Sequence, residues 1–476
     1  MIGRADVPDH ADREDILTLL RSAVGATDCW IVGGAVRDRL RGAVDVTDFD
    51  LVIAGDVRDA ARRLARAGRG TAFALSGEFG AWRVVARSGS WRADISPLHG
   101  ERIEDDLGRR DFTVNAMAEP LAGGALLDPL GGARDLELGW LRLAARGSLD
   151  RDPLRAMRLV RLACELDLQP DAPAIAAARH VAPRLADVAA ERVYGELQRI
   201  LASERAPDGI RLLGEVGLTA VVLPELDALG GIGQSRYHHL DVEGHTLAVL
   251  SELLQLQSDP AGVFDAATAV AVRALLDEPL ADDMSRAEAM RFAALMHDIA
   301  KPVTRTVAPD GRVGFPSHDA LGAQLARTIL ARLRAATSVQ SYVAELTRHH
   351  LRLGFLVHRR PLSRADLYGY LDACGDVAAD VTLLSVADRL ATRGAHARES
   401  IDAHLELARE VIGEALRWHS EGHPAPPLRG DQLAAALGIE PGPMLGELLA
   451  ALTEAQFTGE VGTRADAVAF ARSRMA

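Results

Sequence analysis

Two carboxylates one residue apart, Asp48 and Asp50, follow a glycine pair, Gly33-Gly34, and an arginine, Arg37, within the stretch Trp30–Val52. Glycines let backbone N–H groups approach an anion closely where a side chain would intrude, and a phosphate is the guest such a turn suits. Arg37 falls about one turn into the helix that starts here and adds a planar fork of donors. On a strand, positions i and i+2 share a face, so both carboxylates point the same way. Hard oxygen ligands opposite a phosphate turn suit Mg²⁺ and phosphoryl or nucleotidyl transfer. Taken alone, Gly-Gly is usually a turn and Asp-x-Asp a solvated strand end. Their order within one short unit is what favours chemistry.

Gly33-Gly34-x-x-Arg37-Asp38 followed by Asp48-x-Asp50 resembles the nucleotidyltransferase motif of the class II tRNA nucleotidyltransferase and bacterial poly(A) polymerase family. Further motifs follow in order. Arg109-Arg110-Asp111-Phe112-Thr113-Val114-Asn115-Ala116 sets guanidinium groups for phosphates beside Asp111 and Asn115 for sugar hydroxyls. By itself such a cluster is commonly a surface ion-pair patch, but it matches the family's R-R-D-x-T-x-N-A at every fixed position. Asp128-Pro-Leu-Gly-Gly-Ala-Arg-Asp135-Leu136 resembles the family's D-x-x-G-G-x-x-D-L element, a coupling of head to neck.

In Arg151-Asp152-Pro153-Leu154-Arg155, the spacing predicts a helix capped by Asp152, with Pro153 in its first turn. Asp152 and Arg155 then share a face, an acceptor beside a donor, able to read the Watson–Crick edge of an incoming base. The family's E-D-x-x-R is matched by Asp152 and Arg155 but not at Arg151, which stands where the family has Glu and puts C-then-A switching in question. Arg158 continues the basic stripe and joins the nucleotide-binding set. Glu191-Arg192-x-x-x-Glu196-Leu197 resembles the family's E-R-x-x-x-E-L helix, a brace for the nucleotide site.

A second constellation begins beyond Pro224. Tyr237-His238-His239 and His245 precede His297-Asp298, then His318, His349-His350 and Asp388. A lone His on an apolar helix is usually a satisfied core residue. Adjacent imidazole and carboxylate inside an apolar helix instead suit a divalent metal that activates water. The series resembles the HD superfamily of metal-dependent phosphohydrolases, and the resemblance implies His245, His297, Asp298 and Asp388 as metal ligands. His318 and His350 are available for a second metal, with His349 competing for the latter place.

These residues must be positioned by two kinds of scaffold. Apolar spacing predicts helices over 13–24 and 56–67, and Trp82–Val85 and Trp91–Ile95 read as strands joined by a Ser-Gly-Ser turn. Asp94 on the second strand is either a third acidic partner of Asp48 and Asp50 or a solvated strand end. From Asp150 onward almost every segment reads as helical. The expected fold class is α+β: a nucleotidyltransferase head over 1–140, a helical neck and body over 141–230, an α-helical HD domain over 231–400 and a C-terminal helical RNA-binding segment over 401–476. In that last segment, Pro441–Gly446 is either a phosphate-facing turn or a simple helix connector.

The 476-residue chain has 48% hydrophobic and 25% charged residues, ordinary for a soluble globular protein. A net charge of −13 argues against non-specific coating of nucleic acid. Lys301 is the only lysine among 54 Lys and Arg, a bias that composition alone would explain. Three dispersed cysteines exclude a disulfide framework and fit a reducing cytoplasm. Residues 1–20 carry no secretory signal pattern, and no run of about 18 apolar residues suggests a membrane span.

The resemblance implies an enzyme that joins nucleotides from CTP or ATP to the 3′ end of tRNA or another RNA. Mg²⁺ would bind at Asp48 and Asp50, and a divalent metal at the HD residues. Poly(A) addition, CC-only or A-only addition, a mainly phosphohydrolytic protein and an RNA-binding scaffold are the rival expectations.

Overall fold

The computed structural model describes residues 13–25, 27–43, 47–75, 80–234, 239–394 and 397–475. Tyr237 and His238 of the His-rich run lie outside them, as does part of the Trp30–Val52 stretch. The chain forms two compact units, Met1–Val188 with Glu215–Leu218, and Ala189–Gly214 with Thr219–Ala476.

The first unit is built on alternation. In β2 (Asp48–Ile53), Phe49, Leu51 and Ile53 face one core, while Asp48, Asp50 and Val52 face the other way. The first core is closed by α1 (Arg13–Val24), through Ile16 and Leu20, and by α3 (Val57–Ala67), through Ala61 and Leu64. Asp56 caps α3 by accepting the Asp59 N–H. On the opposite face Val32 and Val52 pack with Ile103, Leu107 and Ala116 in a smaller cluster, leaving the Asp48–Asp50 end of the strand open.

The sheet has six strands, adding β1 (Cys29–Val32), β3 (Thr71–Ala74), β4 (Trp82–Val85), β5 (Arg92–Pro97) and β6 (Ala118–Pro120) in the order β3-β4-β5-β2-β1-β6. β2 and β5 run parallel with Asp50 beside Asp94, and β1 runs antiparallel to β2 with Val32 opposite Asp50. The chain leaves β1 at Gly33 and enters α2 (Gly34–Leu40) next to the carboxylates.

The rest of the unit comprises α4 (Ile103–Leu107), α5 (Gly132–Leu138), α6 (Ser148–Arg151), α7 (Arg155–Leu166) and α8 (Ala172–Val181). Asp152 makes the expected capping hydrogen bond, and the first turn it caps is a tight one that precedes the regular helix. Asp152 ends α6 in an extended conformation and accepts the Leu154 N–H at 3.1 Å, and α7 begins at Arg155 with Leu154 as its cap. Pro153 suits that first turn, since an N–H there would have no partner within the helix, and the Arg155 and Ala156 N–H groups close it on the Asp152 and Pro153 carbonyls. Asp152 and Arg155 therefore flank that tight turn.

Among the described residues the second unit is helical apart from two short ribbons, Pro279–Ala281 with Met284–Ser285 and Thr306–Val307 with Val313–Gly314. These depart from the all-helical expectation where Asp282-Asp283 and Asp310-Gly311 supply turn residues. Helix Ala190–Ala202, which carries the Glu191–Leu197 motif, is tied within this unit by the Tyr194 hydroxyl, which donates to Asp282 at 3.1 Å. A buried knot joins helices Arg286–Met296, Thr337–His349 and Ala378–Ala391: Arg286 grips Asp380 at 2.5 Å and the Tyr342 hydroxyl donates to the same carboxylate at 2.7 Å. Three C-terminal helices, Gly430–Leu437, Pro443–Thr458 and Arg464–Ser473, share a core of their own around Leu433, Leu448 and Leu452. Gly442 takes extended backbone as the cap of the middle helix, and Pro443 opens its first turn.

Candidate active site and metal centre

In the first unit, strand register assembles the carboxylates. Asp48, Asp50 and Asp94 lie on neighbouring strands, and arginines directly opposite in register on the adjacent strand answer two of them. Arg92 reaches Asp48 at 2.5 Å, and Arg83 forks onto both oxygens of Asp94 at 2.7 Å. Asp94 thus stands beside Asp50 and is itself held in a bidentate pair. Asp50 is open to solvent on one side yet ringed by protein, and its pKa is raised. Burial is the main cause, Arg110 opposes it, and the charges of Asp94 and Asp48 add to it. Carboxylates crowded in this way are the donor set a hard divalent cation relieves.

Gly33 is required at the mouth of the site. Its φ of 69° is unfavourable for a side chain, and a Cβ there would stand 3.0 Å from both Asp50 Oδ2 and Arg110 Nη1. Glycine therefore lets the turn, Asp50 and Arg110 converge.

The remaining expected nucleotide contacts form one chain of hydrogen bonds. Arg37 clasps Asp38 at 2.8 and 3.0 Å and donates to Asn115 Oδ1 at 2.7 Å. Asn115 donates to Asp111 at 3.0 Å, and Asp111 pairs with Arg158 at 2.7 Å. Asp111 and Asn115 are buried, so the groups expected at sugar hydroxyls here brace α2 against α7. Burial would raise the Asp111 pKa, but Arg158, Asn115 and the Phe112 N–H outweigh it and hold the carboxylate below its usual range. Arg155 donates to the carbonyl oxygens of Ser148 and Arg110, at 3.1 and 3.2 Å, so the base-reading candidate also fixes the segment that carries Arg110. Ser148, Arg83 and Arg92 carry no motif signal, because they act through partners that only the fold brings near.

In the second unit the HD residues converge from helices Val242–Ser258, Arg286–Met296, His318–Arg332, Thr337–His349 and Ala378–Ala391 or from their ends. The donor atoms form two adjacent sets, His245, His297, Asp388 and Asp298, His318, His350, each with its atoms within 4.8 Å of one another. Three of the imidazoles are oriented alike. Nδ1 of His297, His318 and His350 lies 2.8, 2.7 and 2.6 Å from the carbonyls of Ala294, Phe315 and Thr347, each three residues earlier. With Nδ1–H donating outward, the Nε2 lone pairs point into the cluster.

There the Nε2 atoms of His297 and His318 are buried without a hydrogen-bond partner, and they face Asp298 oxygens at 3.1 and 3.3 Å. Lone pairs facing carboxylates need a proton or a cation between them. The residues present therefore fit a divalent metal. Burial pulls the His297 pKa down, but Asp298 and Asp388 outweigh it and the net shift is upward. His350, buried among other imidazoles, is pulled down to about 4.

Between the two candidate histidines the geometry is decisive. His349 accepts from Arg352 at 2.7 Å and faces Glu345 at 3.3 Å, and it is His350 that joins the cluster. One participant was missed as a functional residue. Lys301 lies 2.6 Å from Asp298 Oδ2, donates to Gln234 at 2.6 Å and is buried. Its being the sole lysine was the available signal.

A mixed sheet presenting paired carboxylates beside a glycine turn, in a chain that also holds a helical His/Asp centre, defines a nucleotidyltransferase of the HD-bearing kind. Family models match accordingly: the poly A polymerase head domain over residues 29–142, the probable RNA and SrmB binding site of polymerase A over 167–229, and the HD domain over 242–393. The chain is 38% identical over 454 residues to the A-adding tRNA nucleotidyltransferase of Deinococcus radiodurans, covering 92% of this chain and 94% of that one. It is also 38% identical to the CC-adding tRNA nucleotidyltransferase of Thermus thermophilus, covering 93% of each. In fold it is similar to the Thermotoga maritima CCA-adding enzyme complexed with tRNA, with TM-score 0.62, 18% identity and coverage of 100% of this chain and 97% of that one. The chain belongs to the class II tRNA nucleotidyltransferase and bacterial poly(A) polymerase family.

Proposed function

We propose that this nucleotidyltransferase extends the 3′ end of tRNA with C, A or both, from CTP and ATP, releasing pyrophosphate. The observation that carries the reading is the meeting of Asp50, Arg110 and Gly33 at one point beside the interior strands β1 and β2. Asp48 and Asp50 would hold Mg²⁺, which supplies charge neutralisation at the α-phosphate and acidifies the attacking 3′-hydroxyl. Gly33 and Gly34 admit the triphosphate, and Arg110 neutralises its charge. Arg37, Asn115, Asp111 and Arg158 keep that turn in register with α7. Asp152 and Arg155, at the tight turn before α7, read the base.

His245, His297, Asp298 and Asp388, with His318 and His350, would hold divalent metal for hydrolysis of a phosphomonoester or a cyclic phosphate on an RNA end. The functional modules are inferred at 1–140, 141–230, 231–400 and 401–476. Among the described residues no helix is long and apolar enough to cross a membrane. The three cysteines are buried and unpaired, which supports placement in the cytoplasm.

A narrower reading is favoured by two observations. Arg151 replaces the family's Glu, and the two relatives at 38% identity are named A-adding and CC-adding. Purified protein given tRNA transcripts ending before, within or after CCA, with CTP or ATP separately, decides between them. Incorporation of only one nucleotide establishes restricted specificity, and no incorporation on any transcript overturns the proposal. Asp48→Ala should abolish incorporation and spare phosphohydrolysis, and His297→Ala the reverse.

A further inference from the structure

A second basic feature lies on the far side of the Arg109–Ala116 strap. Thr113, Leu130, Arg134, Leu138, Arg142 and Arg146 line a cleft of about 530 Å³ within the first unit. Its two carboxylates are already committed. Asp135 is buried, accepting the Thr113 hydroxyl at 2.7 Å and Arg142 at 2.6 Å. Asp171 accepts the Ala174 N–H at 2.9 Å and faces Arg142 at 3.6 Å.

Arg142 therefore answers the local acids, and Arg134 and Arg146 are surplus. Both are exposed, and among the described residues the ion pairs of the cleft are those of Arg142, with none to Arg134 or Arg146. Unpaired guanidinium groups gathered in one cleft of a chain with net charge −13 are a local anion site. The lip is apolar: Leu138 is 54% exposed, and Arg142 stacks over the Trp140 ring at 5.5 Å. The cleft is too large for one inorganic anion and is of a size that takes a nucleotide-length ligand.

We propose that this cleft is a second phosphate site, which holds the sugar–phosphate backbone of the RNA acceptor upstream of the reacting 3′ end. The proposal rests on the reading of the head as an RNA-extending enzyme. Thr113 is three residues beyond Arg110, a separation of at most about 11 Å along the chain. On this proposal, an RNA strand whose end reaches Asp48 and Asp50 carries its preceding phosphates around the strap to Arg134 and Arg146. Guanidinium forks fix the backbone without reading sequence, and the leucines cover sugar edges.

The test is anisotropy titration of a fluorescent tRNA transcript lacking its terminal nucleotides, between 50 and 200 mM salt. Wild-type protein is compared with Arg134→Ala/Arg146→Ala and with Arg134→Lys/Arg146→Lys. The alanine pair should weaken binding and flatten the slope of log affinity against log salt by about 1.4 to 1.8, for two lost phosphate contacts. The lysine pair should keep most of the slope, and KM for CTP and ATP should stay unchanged at saturating RNA. Unchanged thermal unfolding would show that the exposed arginines are not structural.

A slope equal to wild type in the alanine pair overturns the proposal. A loss of inhibition by inorganic pyrophosphate with RNA affinity intact also overturns it, because the site would then serve a free anion. If wild-type protein itself binds no RNA, the RNA-extending reading fails, and this proposal with it.

Discussion

At the scale of residues, the site depends on one missing side chain. Gly33 stands where a Cβ would crowd Asp50 and Arg110 at 3.0 Å, in a backbone region that costs other residues about 1–3 kcal/mol. Gly33→Ala should therefore lower kcat/KM for nucleotide incorporation about a hundredfold, because small displacements of reacting groups are expensive. Unfolding temperature should fall by only a few degrees, and phosphohydrolysis should be unchanged. A variant with wild-type incorporation would show that the convergence at Gly33 is incidental. Much of this was legible in the sequence: the glycine pair, Asp48, Asp50 and Arg110 stand in ordered motifs. What was not legible was who answers whom. Arg92 meets Asp48 and Arg83 meets Asp94 only because separate strands pair in that register. Asp111 and Asn115 read as sugar contacts by residue type, yet hydrogen bonding inside the head engages them first.

At the scale of elements, the helices of the second unit are held by the Arg286–Asp380–Tyr342 knot as well as by apolar packing. Asp380 is fully buried, so Arg286→Ala would strand its charge and should cost about 3–5 kcal/mol. The calorimetric transition of the full chain should show this as a lowered midpoint. The apolar pair Arg286→Met/Asp380→Leu should recover most of the loss, since the pair's own desolvation cost disappears with it. A single Arg286→Ala without effect would mean that Asp380 finds another partner. Element boundaries were legible wherever apolar periodicity was long, as in α1 and α3. At Asp152 the capping signals were read correctly, but the regular helix starts later, at Arg155, because its first turn is a tight one.

At the scale of the whole molecule, the paired carboxylates and the HD residues lie in two compact units, each with a core of its own. The order of motifs made the sequence readable as a nucleotidyltransferase followed by an HD centre. It did not reveal that residues 215–218 return to the first unit while the segments around them belong to the second, because such packing depends on contacts distant in sequence. One feature of the second unit also equips the whole chain with a reporter. Lys301 carries the only lysine ammonium, seated 2.6 Å from Asp298. Protein grown on lysine enriched with ¹⁵N at Nζ should therefore give a single side-chain resonance, protected from rapid exchange by burial. That resonance should move when a divalent cation is titrated in and stay still when CTP or ATP is added alone. A resonance unmoved by the cation would argue that Asp298 is not a ligand. The biased composition of this protein thus leaves its HD centre with an isotopic label addressed to one atom.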